Sequence, residues 1–480
     1  MAIVVSSTTQ GDESIVPAAR HGAFLWLIAT TAALGGLLFG YDWVVIGGAA
    51  PFYEKFFQLT TPQAKGWAQS CALIGCLLGA LLSGGLSDRF GRKRLLLLSA
   101  VLFAVTSVGT GIAGTFNAFV AWRILGGVAI GLASNLSPMY IAEIAPPALR
   151  GRLVSLNQFT IVIGVLLAQV VNLGVARVFP GWLGGAGDAA AALAWNEAIG
   201  WRWMFGITVV PSLLFVAGMF IVPESPRWLV KNGHPEKAQG ILAKLGGEDY
   251  GRRVLASIQS TLADDGEAKV HFGALFEPRM LKILILGIGL AVFQQWCGIN
   301  VIFNYAAEIF KSAGYSIDDT LQNIAWTGSV NLVFTLVAMA VVDRLGRRPL
   351  MLAGAAGLVV VYGLMGYCYH GSIQGTPVLA LVLGAIACYS ATLAPVTWVV
   401  IAEIFPNRIR GAAMSVSVFF LWLACFILTY TFPILNERLG PAGTFWLYAG
   451  ICVGGFLLVK FRLPETKGKS LEQIERELVD

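Results

Sequence analysis

Two residues of this 480-residue chain carry charge where charge is costly. Asp42 sits in "GLLFGYDWVVIG" (36–47) and Arg123 in "AWRILGG" (121–127), both within apolar runs. A carboxylate in a hydrocarbon-like run costs about 2.5–3.5 kcal/mol on insertion scales, and such groups pair with one another and mark ion or proton pathways. Burial raises a carboxyl pKa and a close guanidinium lowers it, so an acid–guanidinium pair whose spacing changes can take up and release a proton. A second set is uncharged: Gln158, Gln294, Gln295, Asn300, Asn331 and Trp398. Amides offer donors and acceptors without charge, and an indole packs its face on C–H surface while donating through N–H. Together they suit a neutral polyhydroxylated ligand. A lone membrane amide such as Gln158 reads first as helix glue at about 0.6 kcal/mol. Gln294-Gln295 beside Gly298 and Asn300, where glycine permits a broken helix, point to binding.

The elements that must hold these residues are membrane helices. The chain is 56% hydrophobic and only 12% charged, with mean hydropathy +0.72, against about a quarter charged in soluble domains. Twelve apolar runs are long enough to cross a bilayer: 24–50, 67–86, 95–114, 118–141, 153–175, 202–222, 281–310, 323–342, 350–369, 378–401, 411–435 and 442–463. One set of loops carries "RFGRKR" (89–94), "RGR" (150–152), "PRWLVK" (226–231), "DRLGRR" (343–348) and "NRIRG" (407–411), while the opposite set has scattered single cations. Positive loops stay in the cytoplasm, so both termini are expected there. The net charge of +6 is then topological, and nucleic-acid binding is set aside. The seven cysteines form no C-x-x-C pair and the histidines number four, so packing roles are expected and no metal or other cofactor. The polar start lacks the features of a signal peptide. The expected organisation is a cytoplasmic tail (1–22), a six-helix half (23–222), a cytoplasmic helical linker (223–280), a second half (281–463) and a second tail (464–480).

The halves repeat one another. "SDRFGRKRLLL" (87–97) returns as "VDRLGRRPLML" (342–352) with 6 of 11 letters identical, and "IAEIAPPALRG" (141–151) as "IAEIFPNRIRG" (401–411) with 7 of 11. "PESPR" (223–227) is echoed by "PETKG" (464–468). Parallel six-helix repeats are a transporter layout with the binding site near the midplane. Glu143 with Arg150, and Glu403 with Arg410, lie seven residues apart, about two turns if each helix continues. With Asp88, Arg89, Arg92, Asp343, Arg344 and Arg347 they form a basic-end network able to lace the halves together. As exposed ion pairs they would be worth only about 0–1 kcal/mol each. Their recurrence at matched places favours a latch.

The D-R-x-G-R-[KR] loops, the E-x6-R pairs, "PESPRWL", and "QQWCGIN" followed by "NYAAEIF" together make the chain resemble, over essentially its full length, a sugar porter of the major facilitator superfamily, nearest to bacterial proton-linked pentose and hexose importers. The resemblance implies an all-α membrane protein of twelve transmembrane helices in the bacterial inner membrane. It implies proton-coupled import of a small neutral sugar by alternating access, by a monomer with no enzymatic activity. It places all six amide and indole residues at sugar-holding positions, and Asp42 with Arg123 at the proton-coupling pair. Three departures stand out. Asn304 replaces one tyrosine of a "YY" pair, Leu421 stands where relatives carry a sugar-contacting amide, and Thr208 replaces a carboxylate that one subset has. A facilitative uniporter would share the fold, but Asp42 argues against it. A transporter-like sensor usually adds a long tail, and 468–480 is short. The amide-rich set and "PESPR" count against a drug exporter. The tail's "GKS" lacks the upstream glycine of a phosphate loop, since position 463 is leucine, which counts against an ATP-driven pump.

Overall fold

The computed structural model describes residues 22–185, 187–265, 275, 277–406, 410–467, 469, 473–474 and 477, without the side chains of residues 263–265, 343 and 410. Of the expected tail 1–22, all but Gly22 therefore lies outside the described residues. Among the described residues every regular element is helical. Spans 1 to 5 are Gly22–Phe56, Pro62–Phe90, Arg92–Ile112, Phe116–Ile144 and Pro147–Leu183, and span 6 is Ala189–Ile221. Span 7 comes in pieces, Pro278–Trp296, Ile299–Asn304 and Ala306–Ser312. Span 8 is Ile317–Leu345, span 9 Arg347–His370, and span 10 Thr376–Ala391 with Leu393–Ile404. Spans 11 and 12 share the helical run Arg410–Arg462, which bends at Gly440 (φ 69°, ψ 169°) into 410–439 and 441–462. The chain is thus an integral membrane protein of twelve spans.

The one sizeable departure from expectation lies ahead of "GWRWMF". The expected spans 153–175 and 202–222 leave 176–201 between them, but span 5 continues to Leu183 and helix resumes at Ala189. The run "AAAALAW" has high helix propensity, and the Asp188 carboxylate caps it, accepting from the Ala191 N–H at 2.7 Å.

Span 2 packs along span 4, and span 1 along span 5. Glycines allow this: a Cβ at Gly75 would strike the Ile124 carbonyl, and one at Gly127 the Ala72 carbonyl. Close backbone approach of this kind drives helix association where lipid removes the hydrophobic incentive. The linker forms Pro226–Lys231, Pro235–Gly246 and Glu248–Asp265, with Ala238, Leu242, Leu245 and Tyr250 buried among them and the basic helix ends. Burial pushes the Tyr250 phenol up, and the nearby Arg150 guanidinium pulls against that shift.

Candidate functional site

Span 1 and span 4 bring the two intramembrane charges together. Arg123 Nη1 donates to Asp42 Oδ1 at 2.8 Å, and Nη2 to the Asp42 carbonyl at 3.3 Å. Asp42 is 8% exposed and Arg123 3%, so water cannot screen the pair. The Arg123 Cζ lies 5.3 Å from the centre of the Phe205 ring, which closes one side. Among the described residues, Asp42 Oδ2 and Arg123 Nε have no hydrogen-bond partner. A buried ion pair is costly to hold and, by removal of one partner, costly to break.

The amides converge on broken helices. Gly298 takes φ 87°, a left-handed conformation that glycine adopts without strain, and it ends the first piece of span 7. Around that break, Gln295 Nε2 donates to Gln294 Oε1 at 2.6 Å, and Asn300 Nδ2 donates to Gln295 Oε1. Asn300 Nδ2 also reaches Cys425 Sγ of span 11 at 3.5 Å. Gln294 Nε2 donates to the Tyr389 hydroxyl at 2.9 Å, and Ser390 Oγ donates to Asn331 Oδ1 at 2.7 Å. Span 10 breaks at Thr392 (φ −129°, ψ −81°), and Trp398 follows in its second piece, half-buried. Gln158 on span 5 is half-buried and makes no hydrogen bond to the described protein. Three of the six expected ligand-binding residues, Gln294, Gln295 and Asn300, thus form one hydrogen-bonded chain on span 7, Asn331 of span 8 and Trp398 of span 10 lie on other spans of the second half, and Gln158 lies on span 5 of the first.

Tyr389 and Ser390 did not stand out in the sequence. Their signal was two hydroxyl residues in "CYSATLAP", just ahead of a proline that follows a helix break. An aromatic trio was missed as well. The Trp43 and Trp422 rings are 5.7 Å apart, with Phe39 at 5.9 Å from Trp43 and 6.2 Å from Trp422, so spans 1 and 11 meet through them. Leu421, beside Trp422, is 4% exposed and one helical turn from Cys425.

The basic ends form two clusters. In the first half Arg92 pairs with Glu143 at 3.1 Å and with Asp88 at 3.0 Å. In the second, Arg347 pairs with Glu403 at 3.3 Å. Among the described residues no ion pair joins the two clusters, and the side chains of Asp343 and Arg410 lie outside the description. Arg150 does not continue the face of Glu143, because span 4 stops at Ile144 and Ala145 is extended (φ −68°, ψ 131°). Its Nε donates instead to the Ala142 carbonyl at 3.1 Å. Arg89 and Arg344 are exposed, Arg89 lying over the Phe90 ring at 5.2 Å.

The repeated "PES" and "PET" prove structural. Glu224 Oε1 accepts from the N–H groups of Arg92 and Lys93 at 2.9 and 3.0 Å, capping span 3. Glu465 does the same for span 9, accepting from Arg347 N at 3.0 Å and Arg348 N at 3.2 Å. Carboxylates at helix N-termini satisfy otherwise orphaned donors and complement the helix dipole. Each cap ties the end of a half to its middle, and neither glutamate was singled out from the sequence.

The halves touch at the face opposite the basic loops. There a Cβ at Gly66 would strike the Tyr430 carbonyl, and one at Gly47 would come 2.5 Å from the Phe303 carbonyl. Gln169 Nε2 donates to Thr327 Oγ1 at 3.1 Å, and Arg177 Nη2 to Gln322 Oε1 at 3.0 Å, both joining span 5 to span 8.

Twelve spans in two repeated halves, a buried acid–guanidinium pair and a bank of amides define a membrane transporter for a neutral polar solute. The family model described as "Sugar (and other) transporter" matches residues 28–478, and the chain belongs to that family, whose members are transporters and not enzymes. It is 40% identical over 94% of its length to the glucose transport protein of a Synechocystis species, covering 97% of that relative. It is 37% identical to the D-xylose-proton symporter of Escherichia coli K12, over 95% of this chain and 96% of the other. Among solved structures, the inward open conformation of the xylose transporter XylE from E. coli matches with TM-score 0.83 and 36% identity, over 94% of this chain and 99% of that one.

Proposed function

We propose that this protein is a proton-coupled importer of a pentose or hexose, working by alternating access, with both termini in the cytoplasm and the bacterial inner membrane as its location. It works as a monomer, and the bound partners are one small neutral sugar, the proton and lipid. The observation that carries the reading is the Asp42–Arg123 pair at 2.8 Å beside a chain of uncharged amides. In this arrangement Gln158, Gln294, Gln295, Asn300 and Asn331 hydrogen-bond the sugar hydroxyls and Trp398 covers the ring face. Asp42 carries the proton, and Arg123 modulates its release. The basic-end clusters, with Asp343 and Arg410, latch the halves when the cavity opens outward. The contacts between spans 5 and 8 at the far face, with no ion pair joining the two basic-end clusters among the described residues, fit the inward-facing state. A facilitative uniporter would need no acid at Asp42. Uptake of labelled xylose, glucose and galactose into reconstituted vesicles, with and without an imposed pH gradient, separates the two. Equal uptake under both conditions would sink proton coupling.

Two substitutions probe this arrangement. Leu421→Gln places an amide one turn from the Asn300–Cys425 contact, and is expected to raise affinity for one sugar of a pentose and hexose panel by about 0.5–1.5 kcal/mol, the value of one hydrogen bond. Affinities unchanged across the panel would show that Leu421 does not line the cavity. Gly328→Val addresses the far gate, where any Cβ meets Gln169 Oε1 and lies 3.1 Å from Leu166 Cα. Overpacking costs about 1–3 kcal/mol, which would disfavour the far-closed state about 5- to 160-fold. Net uptake should fall accordingly while sugar still binds from outside. Wild-type uptake rates would mean that this contact does not gate.

A further inference from the structure

Span 10 ends its first helical piece at Ala391, and the last turn before that break carries Tyr389 and Ser390. The two hydroxyls are used differently. Ser390 Oγ, fully buried, donates to Asn331 Oδ1 at 2.7 Å. Tyr389 is half-buried, and its oxygen accepts from Gln294 Nε2 at 2.9 Å. A phenol also has one O–H to donate, and among the described residues nothing accepts it. Further along the chain, the Gln294 and Gln295 side-chain oxygens are both occupied, by Gln295 Nε2 and Asn300 Nδ2. The chain therefore faces a ligand with N–H groups along its length, the Asn300 oxygen at one end and the Tyr389 O–H at the other.

We propose that Tyr389 is a specificity-determining residue of the sugar site, its O–H donating to one oxygen of the bound sugar while its oxygen holds the Gln294 amide in place. This rests on the sugar-transport reading above. The phenol is the end of the chain, so it meets an oxygen that no amide of span 7 reaches. A sugar lacking that oxygen, or holding it on the other face of the ring, leaves the phenol without an acceptor in a site with little water. Discrimination between epimers and between pentoses and hexoses then depends on this hydroxyl as well as on the amides.

Tyr389→Phe removes the one oxygen and keeps the ring. The test is calorimetry on purified wild type and variant with the tightest binder among D-xylose, D-glucose and L-arabinose, its monodeoxy analogues and its ring-thio analogue. Thermal melting of both proteins without sugar reports folding. The variant should bind the parent sugar about 3- to 10-fold more weakly, as for one lost hydrogen bond. For one analogue, the one missing the oxygen that meets the phenol, the loss on substitution should be smaller than for the parent, because only the Gln294 anchor is then lost. An equal loss for the parent and every analogue would overturn the proposal, since Tyr389 would then act only through Gln294. No loss at all would overturn it too. A wild type that binds no pentose or hexose would overturn the sugar-transport reading along with it, whereas binding by the wild type with uniform effects in the variant overturns this proposal alone.

Discussion

Asp42→Asn is expected to abolish accumulation of sugar against a gradient while leaving sugar binding and sugar-for-sugar exchange in place. The asparagine keeps the size of the side chain and an oxygen that Arg123 can bond, but it exchanges no proton near neutral pH. A coupled proton contributes about 2.3 kcal/mol per 100 mV of membrane potential. That sustains roughly a 50-fold concentration ratio at RT of about 0.59 kcal/mol, and none without coupling. A purely structural pair predicts something else. Arg123, 3% exposed, would be left as a buried cation with no countercharge, at a cost of about 3–5 kcal/mol. Folding or every mode of transport would then suffer together. Counterflow and pH-gradient-driven uptake, measured in the same vesicles for wild type and variant, separate the two. Full concentrative uptake by Asp42→Asn would end the coupling hypothesis.

Gln295→Ala and Trp398→Ala should each remove tight sugar binding with insertion and folding near normal. Gln295 is the middle of the amide chain, bonded to both Gln294 and Asn300. Its loss takes one sugar contact directly and lets both neighbours turn, so the effect should exceed that of a single hydrogen bond of about 0.5–1.5 kcal/mol. Trp398 stands half-buried on the piece of span 10 beyond the break at Thr392, so its removal takes away a plate that the backbone holds in place. Burial of an aromatic against a ring face is the largest single apolar contact such a site can offer. Calorimetry on purified variants with the best wild-type sugar decides the matter. Binding within about twofold of wild type in both, roughly 0.4 kcal/mol, would show that the site lies elsewhere.

Much of this protein was legible in its sequence because lipid allows few solutions. A membrane span must satisfy its own backbone, so each run of apolar residues had to be a helix, and Gly298 among the amides of span 7 already announced a broken one. The repeated motifs likewise gave away two halves, and the rarity of intramembrane charge isolated Asp42 and Arg123. The extension of span 5 to Leu183 and the helix from Ala189 were not visible, since Pro180, Gly181 and the glycines of "GGAGD" (184–188) read as the punctuation of a loop. Partner choice was decided only by the tertiary structure. Seven-residue spacing set Glu143 against Arg150, yet the stop at Ile144 gave Glu143 to Arg92 of another helix. Tyr389, Ser390, Glu224 and Glu465 stayed silent in the same way: each acts on a residue at least 59 positions distant, Ser390 on Asn331 being the nearest. Local pattern specifies which face of a helix is apolar, but a hydrogen bond between helices depends on their separation and rotation. Only the packing of all twelve determines those.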